Sequence, residues 1–273
     1  MPSRPYELAQ NLETLQNVAG WHAYRDGDLV TAIELASAVV KVHPNEGRTW
    51  ELLGLAWRDL GKPLPAADAF ERASLLVTLT PLSSLCLAEC YAVLQRRRLA
   101  RDLYLLQAKQ LADSVDMLLL AASGLEGIDE PQLALDVCRK AGNLDPESGQ
   151  VVYDMCFYAM RSGCSASLAE SLAWRAVELE PDNVHFRIGL ATLLVRLGHT
   201  HRACRVLQIL ELSDFRQVCC RCCLERIANL YQQAGSAEKA ELCQLRINEL
   251  ELASTSNRQR IQSREQSRLE GGR

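Results

Sequence analysis

The chain has 273 residues, 48% of them apolar, with 30 basic and 34 acidic side chains and a formal net charge of -4. That length can hold one large core or two smaller ones, and the slight acidic excess lacks the basic footprint of a general nucleic-acid binder. Arg4, Glu7, Gln10, Asn11 and Glu13 interrupt the stretch that a secretory signal would need, and no apolar run reaches membrane-spanning length, so the sequence predicts a cytoplasmic protein without membrane insertion.

From the N-terminus, residues 1–12, with Pro2 and Pro5, read as a short lead-in. After it the chain repeats itself. Ala32, Ala66, Ala100 and Ala134 are spaced by 34 residues, and Ala169, Ala203 and Ala240 continue the series with steps of 35, 34 and 37. In the same phase Gly27, Gly61, Gly163, Gly198 and Gly235 fall between apolar-periodic stretches, where a turn between helices is needed. Pro44, Pro146 and Pro181 stand just beyond helical stretches that they cannot continue. The pattern is densest at Trp50, Leu53, Gly54, Trp57, Gly61, Ala66, Phe70 and Ala73.

This stretch resembles a tetratricopeptide repeat. The resemblance implies an all-α fold, a right-handed superhelical solenoid of about seven helix-turn-helix repeats near 13–46, 47–80, 81–114, 115–148, 149–183, 184–217 and 221–254. A helix pair of this size buries too little surface to be stable alone, so only the stack folds, with first helices lining the inner surface and second helices the outer one. The third repeat keeps Leu87, Ala88, Tyr91, Ala100 and Tyr104 but has Gln95 in place of the turn glycine. The fifth has an added residue near Cys164 to Ser167, and three more precede the seventh near Phe215 to Cys220, at turns that tolerate insertion. Beyond these repeats, residues 255–273 form a polar, arginine-containing tail, read as helical or disordered.

On each first helix, repeat positions 2, 5, 9, 12 and 13 share one face, the one expected to line the groove. A solvated face would be polar there. Instead these positions supply Trp21, Tyr24, Leu55, Arg58, Leu85, Leu119, Tyr153, Phe157, Met160, Arg161, Ile188 and Arg196. Such an apolar stripe edged by arginines is the mark of a protein-binding surface, with the aromatic residues as anchors. The competing reading packs these side chains into the core. Leu119, Tyr153, Phe157 and Ile188 are expected to form a continuous apolar floor in the fourth to sixth repeats, with Arg161 and Arg196 at its edge. Relatives of this type that clamp the acidic tail of heat-shock chaperones use lysine and asparagine at positions that here read Asn17, Trp21, Leu52, Leu82 and Cys86, so that clamp is absent.

The eleven cysteines, odd in number and irregularly spaced, read as reduced thiols. Cys219, Cys220, Cys222 and Cys223 invite a metal reading. On one continuous helix, however, the four thiols fan over roughly 160 degrees at 100 degrees per residue, and His199, His201 and Cys204 belong to a turn a helix length away. Small apolar packing is therefore the expected role of these cysteines, with no metal and no cofactor. No G-x-G-x-x-G, Walker, H-E-x-x-H or serine-elbow motif is present, so no catalytic residue is expected. The sequence thus points to a non-enzymatic scaffold that binds a protein or peptide segment in its groove. The alternatives are a structural subunit or secretion-type chaperone of a larger assembly, and a cysteine-based metal or redox sensor.

Overall fold

The structure, a computed structural model, describes residues 18–208, 210, 215–216, 218 and 220–252. The lead-in, the tail beyond 252 and Cys219 lie outside the described residues. Among the described residues there are helices and turns and no strand. In chain order the helices are α1 (18–25), α2 (Leu29–Val42), α3 (Gly47–Asp59), α4 (Pro63–Leu76), α5 (Pro81–Val93), α6 (Arg97–Gln110), α7 (Val115–Gly127), α8 (Pro131–Leu144), α9 (Gly149–Arg161), α10 (Ala166–Leu179), α11 (Val184–Arg196), α12 (Thr200–Gln208), α13 (Arg221–Gln233) and α14 (237–252). They alternate as first and second helices of successive pairs, as the 34-residue period predicts.

The helix starts are written locally. Pro63, Pro81 and Pro131 occupy the first turn, where a missing N–H costs nothing. Asp28, Thr80, Ser148, Ser165 and Asn183 are N-caps whose side chains accept backbone N–H bonds. The turns inside each pair share one hydrogen-bonded form. Gly61 N–H donates to Arg58 C=O and Lys62 N–H to Trp57 C=O, and the same two bonds recur at 27–28, 95–96, 129–130, 163–164, 198–199 and 235–236. This is the Schellman arrangement, which needs a positive φ at the next-to-last of its six residues. Glycine supplies it at 27, 61, 163, 198 and 235, while Gln95 (φ 61°) and Asp129 (φ 63°) are forced into it.

The chain divides into two compact units, residues 1–146 and 147–273. In the first, the repeating alanines Ala32, Ala66, Ala100 and Ala134 are fully buried, which lets the second helices lie close against the first. Phe70 is wholly buried against Gly54, whose absent side chain makes room for the ring. Glu51, on the same helix, is buried too. Its carboxylate accepts from the backbone N–H and hydroxyl of Thr80 at 2.8 Å each and from Arg48 at 2.5 Å. In the second unit Ala169, Ala203 and Ala240 take the alanine role, around a core of Phe186, Leu190, Leu194, Leu207, Leu224, Ile227 and Tyr231. Tyr231 closes that core by donating its hydroxyl proton to Leu207 C=O at 2.7 Å. No helix among the described residues is long and apolar enough to cross a membrane.

Candidate functional site

Each unit leaves a cavity along its first helices. In the second unit α9 contributes Tyr153, Phe157 and Met160, α11 contributes His185, Ile188, Thr192 and Arg196, and α13 contributes Cys223 and Arg226, around about 190 Å³. The geometry follows from helix periodicity. Residues 153, 157 and 160 lie on one stripe of α9, and 185, 188, 192 and 196 on the facing stripe of α11. Gly189 permits the close approach: a side chain there would lie 2.3 Å from the Tyr153 hydroxyl oxygen. The Tyr153 ring therefore rests on α11, stacked on Phe186 with ring centres 4.8 Å apart. Burial pushes its hydroxyl up to about 12. Phe157, one turn on, is 41% exposed although it is a large apolar ring. Arg196 and Arg226 are exposed at the rim and, among the described residues, neither is in an ion pair.

The cavity of the first unit is larger, about 560 Å³, between Arg58 of α3, Leu82, Leu85, Glu89 and Val93 of α5, and Leu120 and Gly124 of α7. Its cation is already neutralised. Arg58 donates to Asp59 at 2.5 Å and to Glu89 at 3.3 Å, and Asp59 also accepts from the Tyr24 hydroxyl at 2.7 Å. Burial first, and that bond second, push the Tyr24 hydroxyl up to about 12.

The sequence-derived groove residues thus divide. In the second unit Tyr153, Phe157, Met160, Ile188 and Arg196 come together around one cavity, Ile188 with only 3% of its surface free, and Arg161 is exposed outside the lining. In the first unit Leu85 and Arg58 line the other cavity. Trp21 and Tyr24 meet edge to face at 6.2 Å and pack on the core beside buried Leu55, which has 7% of its surface free. Leu119 is half-buried, and the next residue, Leu120, lines the cavity instead.

Leu120, Cys86 and Arg226 all stand at position 6 of their repeats, a position that the sequence reading left out. Position 6 sits on the flank that a first helix turns toward its neighbour, so a cavity between two such helices includes it. Leucine, cysteine and arginine stand there, so the residue types give no signal, but the helical wheel of the adjacent pair includes the position.

The other feature near this cavity is the start of α13. The sequence reading placed four thiols on one continuous helix. The helix in fact begins at Arg221, with Cys220 as its N-cap in an extended conformation (φ -94°, ψ 113°). Cys220 therefore leaves the helical wheel, and its Sγ comes to 2.7 Å from that of Cys222. The sulfurs of Cys220, Cys222 and Cys223 all lie within 4.8 Å of one another.

No family model and no curated protein sequence matches the chain. Solved structures do. A tetratricopeptide repeat protein from Parabacteroides merdae superposes with a TM-score of 0.65 at 16% identity, covering 87% of this chain and 93% of that one. The C-terminal part of a TPR repeat-containing protein from Cytophaga hutchinsonii gives 0.60 at 14% identity, over 86% and 95%. A crystal structure of MamA gives 0.55 at 18% identity, over 63% of this chain and 94% of that one. The chain has a tetratricopeptide-like, all-α fold.

Proposed function

We propose that this tetratricopeptide-like chain is a non-catalytic scaffold whose second unit holds a segment of a partner protein in the cavity between α9, α11 and α13. The observation that carries the reading is the pairing of a solvent-exposed phenyl ring, Phe157, with two exposed guanidinium groups, Arg196 and Arg226, that are in no ion pair among the described residues, around one apolar hollow. An exposed aromatic at the mouth of an apolar hollow, with cations at its rim, is the arrangement from which peptide-binding surfaces draw their anchor and their polar edge. The cavity, at about 190 Å³, falls below the roughly 300 Å³ at which small-molecule sites begin. It suits one or two side chains presented by a peptide. Arginine forks at the rim select a carboxylate and fix the direction of the segment.

The partner segment is therefore short, apolar at one or two anchor positions and acidic next to them. Tyr153 forms the rigid wall of the hollow and Phe157 its lip. The cavity of the first unit, with Arg58 already held by two carboxylates, does not favour an acidic segment. The experiment is selection of peptides from a random displayed library on the full chain, with the Phe157→Asp variant as counter-target. Enriched sequences should combine an aromatic or branched apolar residue with Asp or Glu and should bind the variant at least tenfold more weakly. Peptides with no acidic preference, or equal binding to both proteins, would show that this cavity is not the docking site.

A further inference from the structure

We propose that Cys220, Cys222 and Cys223 form a tris-thiolate site for a thiophilic d10 metal ion, Zn(II) or Cu(I). This inference rests on the thiol geometry and not on the partner segment, although Cys223 also lines the cavity between α9, α11 and α13. Three thiols meet here and nowhere else among the described residues. Cys86, Cys90, Cys138, Cys156 and Cys243 are buried singly or in pairs as packing groups, whereas Cys220 and Cys222 are exposed to an arriving ion and Cys223 is half-buried behind them.

The distances fit the chemistry. A soft ion at about 2.3 Å from each sulfur holds its thiolates roughly 3.8–4.0 Å apart in tetrahedral or trigonal geometry. The three sulfurs already lie within 4.8 Å of one another, the closest pair at 2.7 Å. Rotation about the side-chain bonds of the two exposed residues is enough to even the triangle, since the backbone of α13 is already placed. The cap position matters because it brings Cys220 alongside residues 222 and 223, which a continuous helix would have fanned away.

The helix terminus favours negative charge. The sulfurs sit over the first turn of α13, where unpaired backbone N–H groups and the helix dipole favour negative charge. A bond from the Cys222 thiol and another from the Cys223 N–H hold the Cys220 thiol below its ordinary value, while burial and then the neighbouring Cys220 sulfur push Cys223 up to about 12. On binding, three S–H bonds break, three metal–sulfur bonds form and three protons pass to solvent, with no change of oxidation state. Zn(II) would keep a fourth position for water, and Cu(I) would be satisfied by three sulfurs.

The test uses the full chain, reduced and free of oxygen, titrated separately with Zn(II) against a chromophoric chelator and with Cu(I) against a Cu(I)-specific chelator. One ion per chain is expected for at least one of the two metals. Cys220→Ser and Cys222→Ser, both at exposed positions, should each weaken binding at least tenfold. The Cys243→Ser control, checked by circular dichroism for an intact fold, should not. In the metal-loaded protein, alkylation read by peptide mass should be suppressed at 220, 222 and 223 and nowhere else. Binding of neither ion, an undiminished ion in the Cys220→Ser and Cys222→Ser double variant, or a Cys220–Cys222 disulfide that persists in millimolar glutathione would overturn the proposal.

Discussion

Replacing Gly54 by alanine places a methyl group where Phe70 already lies. A Cβ at residue 54 would stand 2.5 Å from Cδ1 and 2.6 Å from Cε1 of that ring, well inside contact distance, and the ring is wholly buried with no space to swing into. Two effects oppose each other. Glycine to alanine inside a helix gains about 1 kcal/mol of propensity, while overpacking of this depth costs roughly 3 kcal/mol. The net expectation is a loss of about 2 kcal/mol. Phe70→Ala alone should cost about 4 kcal/mol, from lost burial and the cavity left behind. With the ring gone, however, the three nearest atoms that a Cβ at 54 would meet are gone too, and the helix gain of about 1 kcal/mol returns. The double variant should therefore be more stable than Phe70→Ala, with a coupling of about 3 kcal/mol between the two sites. Urea denaturation followed by tryptophan fluorescence measures this. Trp21, Trp50 and Trp57 belong to the first unit, so a Trp174→Phe background makes the signal specific to it. Additive effects, or a Gly54→Ala variant more stable than the parent, would refute the idea that small residues at this repeat position exist to admit a neighbouring side chain.

Other expectations follow from single residues. Gln95→Gly and Asp129→Gly, at the two turns held at positive φ without glycine, should each stabilise the first unit by about 0.5–1 kcal/mol, and Gly61→Ala should destabilise it by about 1 kcal/mol; thermal melts rank the three. Burial alone would raise the Glu51 carboxyl, but hydrogen bonds from Ser83, the Thr80 N–H, Arg48 and the Thr80 hydroxyl outweigh it and hold the group below its ordinary value of 4.5. A depressed folded-state value means stability that is present above 4.5 and is lost as pH falls through the lower folded value. Glu51→Gln should cost on the order of 2 kcal/mol at pH 7 and flatten the fall in stability below pH 4.5, which melts across pH 2–7 would show. Tyr153→Ala should cost about 3 kcal/mol because its ring is stacked on Phe186 and fitted over Gly189, whereas exposed Phe157→Ala should cost less than about 1 kcal/mol. Equal losses for the two would show that Phe157 is core as well.

Much of the architecture is legible in one dimension because each repeat carries its own instructions. The turn glycines predict the Schellman turns, and even Gln95 is identifiable as the residue standing in a glycine position. The alanines at constant phase predict the seams that Ala66, Ala100 and Ala134 form. What is not legible comes from contacts between neighbouring helices. Glu51 stands at a groove-facing position by its wheel angle, yet Thr80, 29 residues on, reaches it with two hydrogen bonds and takes it out of solvent. Leu55, Leu85 and Ile188 share that face and are nearly covered as well. Tyr153 and Phe157 look equivalent in sequence, and only Gly189 on the adjacent helix decides that one is wedged and the other left open. The cysteine run is plain in the sequence, but the convergence of its sulfurs is not, because a continuous helix through Cys220 fans them apart whereas Cys220 caps α13 in an extended conformation.

Docking of an acidic, apolar segment on the second unit is open to a charge-exchange test. A peptide selected on the parent protein would be titrated calorimetrically against the Arg196→Glu, Arg226→Glu double variant, in its original form and with its acidic residue replaced by lysine. The account predicts that the original peptide loses at least tenfold in affinity and that the lysine form recovers most of it, since reversing both signs restores the attraction. Unchanged affinity for the double variant, or a loss that the lysine peptide does not recover, would contradict it.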